Sequence, residues 1–195
     1  MTDLERLTSL LALRSARRGQ FTLASGRTST LYIDARLTTM SPEGLALVGP
    51  AGLAAIREAG PSPDAVGGLT LGADPIAYAI SYASASTPEP IRAFTVRKEA
   101  KSHGTGRVIE GPFEAGDQVI IVEDVITTGG SAIRAARAVG EAGGSVVGVL
   151  ALVDREEGGR ESIEAAGYTV LALVTASQIV RQMPESAGDG SGQTG

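Results

Sequence analysis

The chain has 195 residues, 43% of them hydrophobic, with 26 glycines, one histidine, no cysteine and a formal net charge of −5. That length suits one α/β domain with a proper core; the acidic balance argues against a nucleic-acid binder, and the missing cysteines exclude disulfides, thiolate metal sites and thiol nucleophiles. One histidine rules out a multi-histidine zinc site, and with no bilayer-length apolar run and no signal-peptide pattern the expectation is a cytoplasmic protein without membrane association.

Leu4, Leu7, Leu10, Leu11 and Leu13 recur at helical spacing, which predicts a helix over residues 4–18 closing on Arg17-Arg18-Gly19. Phe21 to Asp34 reads as two short strands around a polar Ser25-Gly26 turn. Ser41 is the expected N-cap of a helix from Pro42 to Ala59. Ala65-Val66-Gly67-Gly68 is a short strand leading into the loop Leu69 to Asp74, after which Pro75 opens a helix through Ser84. Ile91 to Val96 is a strand. The run Arg97 to Arg107 behind it has no apolar periodicity and cannot pack as a core element.

That run also holds the most informative compositional fact. Arginine occurs fifteen times and lysine twice, yet both lysines, Lys98 and Lys101, fall here beside the only histidine, His103. A charged loop is ordinarily a solvated hairpin tip; concentrating the scarce residues between Gly104, Gly106 and a strand points instead to work on an anion.

Val119 to Val122 reads as a strand buried on both faces, with Glu123 and Asp124 where it should end. Thr127-Thr128-Gly129-Gly130-Ser131 follows, and then a helical pattern from Ala132 to Glu141. Strand, tight turn and helix start form an anion site, because free N–H groups and the positive end of the helix dipole point at the turn. Adjacent carboxylates have no structural reason to follow a buried strand, whereas sugar hydroxyls or a divalent cation would suit them. No Gly-Lys-Ser/Thr and no Gly-x-Gly-x-x-Gly occurs, so neither a P-loop nor a dinucleotide fingerprint is present. Ser145 to Val153 is a further buried strand ending at Asp154-Arg155, followed by a short helix Arg160 to Ala166, a strand Tyr168 to Val174 and a helix Ala176 to Gln182. The Gly- and Ser-rich tail over 186–195 is expected to be disordered. Alternating strands and helices over 65–174 argue a parallel sheet flanked by helices, with ligands bound beyond the carboxyl ends of its strands.

The run Glu123 to Ser131 resembles the signature with which type I phosphoribosyltransferases hold phosphoribosyl pyrophosphate (PRPP). Phe-x-Leu-x-Ser-Gly followed by Ser-x-x-Tyr-Ile-Asp, over Phe21 to Asp34, and Arg-Lys-x-x-Lys-x-His-Gly, over Arg97 to Gly104, narrow the resemblance to the orotate phosphoribosyltransferases. The resemblance implies a Rossmann-like core with a five-stranded parallel sheet over about residues 41–183 and a small hood largely from 1–40, one domain in all over 1–185. It implies transfer of phosphoribose from PRPP to orotate in de novo pyrimidine (UMP) biosynthesis. Nothing after Val153 resembles an appended decarboxylase, so a single activity is expected.

The resemblance also implies roles. Glu123 and Asp124 meet the ribose, while Val125, Ile126, Thr127, Thr128, Gly129, Gly130 and Ser131 wrap the 5-phosphate. Thr127, Arg155, Tyr32 and Ile33 line the orotate site. Lys98 and His103 serve one site, Arg97 and Lys101 the partner's site in a homodimer, with Lys101, Asp124 and His103 catalytic. Magnesium (Mg2+) arrives on PRPP, with Asp124 the protein group nearest to serving as a ligand. Two departures stand out: Ala24 and Gly72 occupy positions where many members carry lysine. The competing readings are a phosphoribosyltransferase for a purine base and a PRPP-sensing regulator without catalysis.

Overall fold

The computed structural model describes residues 1–22, 28–60, 62–99 and 108–184. The chain opens with α1 (Asp3–Arg14), held at its start by a capping box between Thr2 and Glu5. This helix stops at Ser15, well short of the expected Arg18. Beyond Leu13 no apolar residue continues its periodicity, and an antiparallel ladder claims the next residues: β1 (Ala16–Thr22) pairs with β2 (Thr28–Ile33), setting Arg17 opposite Tyr32 and Arg18 opposite Leu31. Arg17 and Arg18 are therefore strand residues and not a helix cap. The expected Ser25-Gly26 turn, Lys101 and His103 of the charged loop, and the tail over 186–195 lie outside the described residues.

After the hairpin come a single turn, α2 (Arg36–Thr39), and the long α3 (Pro42–Glu58), whose Ser41 accepts from the Gly44 N–H as its sequence signal predicts. Then follow β3 (Ala65–Leu69), α4 (Ala73–Ser84), β4 (Arg92–Val96), the two-residue β5 (Ile109–Glu110), β6 (Gln118–Ile126), α5 (Gly130–Glu141), β7 (Ser145–Asp154), α6 (Gly159–Ala165), β8 (Val170–Thr175) and α7 (Ala176–Gln182). The main sheet runs β5-β4-β3-β6-β7-β8. Five of its strands are parallel, as the resemblance implies; β5 adds a short antiparallel edge that the sequence, with only Ile109 apolar there, did not signal.

Both faces of this sheet are covered. Ile120 and Val122 of β6, with Leu150 and Leu152 of β7, join a core built with Leu7, Ile56, Ile76, Ile80 and Ile179 from α1, α3, α4 and α7. The alternate residues, Val119, Ile121, Val149 and Ala151, join a second core with Ala135, Val139 and Ile163 from α5 and α6. Period-2 alternation thus feeds both cores, which explains the unbroken apolar runs. No described helix is long and apolar enough to cross a membrane.

The acidic pair does not end β6, contrary to expectation. The ladder to β7 continues through Glu123 opposite Ala151 to Ile126 opposite Asp154. The side-chain alternation slips by one residue across the pair: Val125 packs with the first core and Ile126 with the second. The ladder to β7 carries the backbone past both acids, so their side chains can be spent on something else.

Candidate active site

Beyond the carboxyl ends of β3, β6 and β7, under the hairpin, lies a cleft of about 340 Å3. It gathers Tyr32, Ile33, Glu123, Asp124, Val125, Thr127, Ser131, Arg155 and Lys98 from four stretches that are far apart in sequence. Gly72 and its neighbours after β3 form another wall. Ile126, Thr128, Gly129, Gly130 and Arg97 are not among the lining residues, and the Arg97 guanidinium lies 3.5 Å from Glu110.

The turn after β6 is set by Gly129, whose φ of 78° lies in the left-handed region and whose α-carbon packs against α6: a Cβ there would sit 2.7 Å from the Gly159 carbonyl oxygen. The helix that follows has no side-chain cap and no acid in its first turn. Its first turn reaches the cleft at Ser131, and among the described residues no side chain caps its leading N–H groups.

Opposite stand the carboxylates. Glu123 Oε2 is out of solvent and has no hydrogen-bond partner among the described residues. Burial, helped by the adjacent Asp124, pushes the Glu123 carboxyl up to about 8. Burial raises Asp124 as well, opposed by the Val125 N–H at 2.9 Å and by the charge of Arg36. Two acids this close titrate as a coupled unit, and burial favours a shared proton over two full charges. Asp124 also presses on the loop after β3: a Cβ on Gly72 would fall 2.4 Å from its Oδ2. That loop can offer backbone here, but not a side chain, while Asp124 stays where it is.

Arg155 follows β7 and is nearly enclosed, its side chain 4% exposed. Its Nε and Nη2 lie 3.0 and 2.7 Å from Glu157 Oε1, and Nη2 also reaches Ser29 Oγ and the Leu31 carbonyl of the hairpin. Asp154, beside it, pairs with Arg160 instead. Glu156 takes a φ of 60°, held by its N–H on Asp154 Oδ1 and by its carboxylate accepting from the Ser177 N–H, which keeps that carboxyl below its usual range.

A profile of the phosphoribosyl transferase domain family matches residues 45–181. The orotate phosphoribosyltransferase of Aquifex aeolicus is 46% identical over 183 residues, spanning 92% of this chain and 99% of that protein. Among solved structures, Mycobacterium tuberculosis orotate phosphoribosyltransferase in complex with Fe(III) dicitrate superposes with a TM-score of 0.78 at 42% identity, covering 91% of this chain and 99% of that one. The same organism's orotate phosphoribosyltransferase in complex with PRPP gives 0.75 at 39% identity, covering 92% and 99%. The chain belongs to the orotate phosphoribosyltransferases.

Two groups not expected from the sequence shape the cleft of this orotate phosphoribosyltransferase. Arg36 lines it, fixed by both oxygens of Asp34 at 2.8 and 2.9 Å, and Glu157 grips Arg155. The Asp-x-Arg spacing of Asp34 and Arg36 was the available signal, since it lets the acid hold the guanidinium as α2 begins. No comparable signal marked Glu157, whose role depends on how the chain turns after β7.

Proposed function

We propose that this chain transfers the 5-phosphoribosyl group from PRPP to N1 of orotate. The C1–O bond to pyrophosphate breaks and its electron pair leaves with the pyrophosphate. Orotate N1 supplies the pair for the new C1–N bond of orotidine 5′-monophosphate as its N–H bond breaks, the proton passing to the departing pyrophosphate. The observation that carries this reading is the buried Glu123–Asp124 pair set beside the uncapped start of α5, in a member of this family.

The chemistry is a problem of charge. As C1–O breaks, the ribose becomes cationic, and the leaving group gains negative charge. On this reading the turn Thr127 to Ser131 and the first N–H groups of α5 hold the 5-phosphate as a fixed anchor, converting a bimolecular encounter into a positioned one. Glu123 and Asp124 accept the ribose hydroxyls and, once ionised, stabilise the cationic sugar. Arg155, oriented by Glu157, with Thr127, Tyr32 and Ile33, receives orotate. Arg97, Lys98, Lys101 and His103 serve the departing pyrophosphate, two of them from a partner subunit.

Magnesium fits this arrangement as a passenger on PRPP. Among the described residues no three His, Asp or Glu side chains converge as a protein-made metal site. The unpartnered Glu123 Oε2 beside Asp124 supplies hard oxygen donors of the kind a divalent cation shares with a substrate's oxygens. When bound, the ion neutralises charge on the pyrophosphate.

A homodimer is part of the proposal, supported by an exposed apolar surface: Tyr78 and Tyr82 one turn apart on α4, with Leu71, Leu37 and Met40 also exposed nearby in the fold. The protein is expected to work in the cytoplasm. The decisive assay is pyrophosphate release from PRPP and Mg2+ with orotate, adenine, guanine and hypoxanthine in parallel. Turnover confined to orotate is expected; turnover with a purine alone would overturn the assignment. Mixing inactive Lys101→Ala and Asp124→Ala proteins should restore part of the activity through mixed dimers, and no recovery would rule out a shared site.

A further inference from the structure

The described lining of the cleft carries three cations: Lys98, Arg155 and Arg36. Arg155 is assigned to orotate, its Nε and Nη2 held by Glu157 and the hairpin and its side chain enclosed. Arg36 is different. Asp34 grips its Nε and Nη2, leaving Nη1 without a hydrogen bond among the described residues, and the Arg36 side chain stays 46% exposed while Asp34 is 18% exposed. A guanidinium locked in orientation through one edge and open along the other is a prepared anion clamp rather than a surface ion pair.

Its neighbours say which anion. Arg36, Gly72 and Asp124 line the same cleft; the charge of Arg36 reaches Asp124, and Asp124 lies against Gly72. The 5-phosphate anchor lies at the start of α5, and the sugar hydroxyls fall on Glu123 and Asp124. The second anionic end of the substrate therefore lies past the sugar, where Gly72 can contribute no side chain. We propose that Arg36, positioned by Asp34, binds the pyrophosphate end of PRPP and supplies the fixed positive charge that the loop at Gly72 lacks. The inference rests on the reading of this cleft as a PRPP site.

The test is calorimetric titration of the full-length protein with PRPP, pyrophosphate, ribose 5-phosphate and orotate, at one fixed Mg2+ concentration. Wild type, Arg36→Ala and Arg36→Lys are compared. Losing one charge-assisted, oriented contact should weaken PRPP and pyrophosphate about 10- to 100-fold in Arg36→Ala and leave ribose 5-phosphate and orotate within about threefold. Arg36→Lys should fall between, because the charge survives and the two-point hold on Asp34 does not. Retained ribose 5-phosphate binding also shows that the variants are folded. Equal weakening of ribose 5-phosphate and PRPP, weakening of orotate in place of pyrophosphate, or no change in any ligand would each overturn the assignment. A wild-type protein that binds no PRPP would overturn the underlying reading instead, and is distinguishable because no variant is involved.

Discussion

Glu123 offers the sharpest test of the site's electrostatics. Replacing it with glutamine keeps the shape and removes the ionisable group. In the folded protein burial and Asp124 raise its carboxyl to about 8, against an ordinary value of 4.5. At about 1.4 kcal/mol per pH unit the difference corresponds to about 5 kcal/mol as an upper limit. The sign follows from linkage. The folded state holds this proton more tightly than the unfolded chain does, so the residue costs no stability below pH 4.5. The cost grows as pH rises from 4.5 to about 8, and it is complete above that. Glu123→Gln should therefore be more stable than wild type by about 2–5 kcal/mol at pH 9, with the gain shrinking toward zero near pH 5. Urea unfolding of both proteins across that range measures it. A ligand that donates hydroxyls or a cation to the pair favours the ionised form, so PRPP–Mg2+ binding at pH 7 should release about one more proton from wild type than from Glu123→Gln, read by titration in buffers of different ionisation enthalpy. A stability difference that is the same at pH 5 and pH 9, or a variant less stable at pH 9, would refute this account of the pair.

Three further outcomes follow from particular contacts. Gly72 has helical backbone angles that any residue accepts, so Gly72→Ala tests space alone: Asp124 must swing off its Val125 N–H, and kcat/KM should fall about 10- to 100-fold with thermal stability nearly unchanged. Activity within twofold of wild type would show that the contact does not matter. Gly129→Ala forces a Cβ into the left-handed region and against Gly159, which should cost about 2–4 kcal/mol of stability in urea unfolding as well as PRPP affinity. Glu157→Gln should raise the KM for orotate about tenfold and leave the KM for PRPP alone, since it loosens Arg155 rather than the sugar site; a matched rise in both would count against that role.

The layered architecture was legible because its signals are local. Unbroken β-branched runs mark strands buried on both faces, and Ser41-Pro42 marks a helix start. The acidic pair, the glycine turn and Arg155 were legible as types in sequence order, and the fold brings them to one edge because each follows a parallel strand. What escaped depended on pairing between distant segments. Arg17 and Arg18 look like a helix end until β2 is there to pair with them, and Glu123 looks like a strand terminus until β7 extends the ladder past it. Arg36 gave no periodic signal, since a one-turn helix is too short to show one.

Arg155 joins segments 124 and 126 residues apart, tying the end of β7 to Leu31 and Ser29. A group that forms the floor of the cleft thereby also props up its roof. The small two-stranded sheet is held over the opening before any ligand arrives, so the entropy of ordering that wall is spent during folding and not at the moment of binding. Any substitution that cuts this strut should consequently disturb the hairpin's seat as much as the floor beneath it.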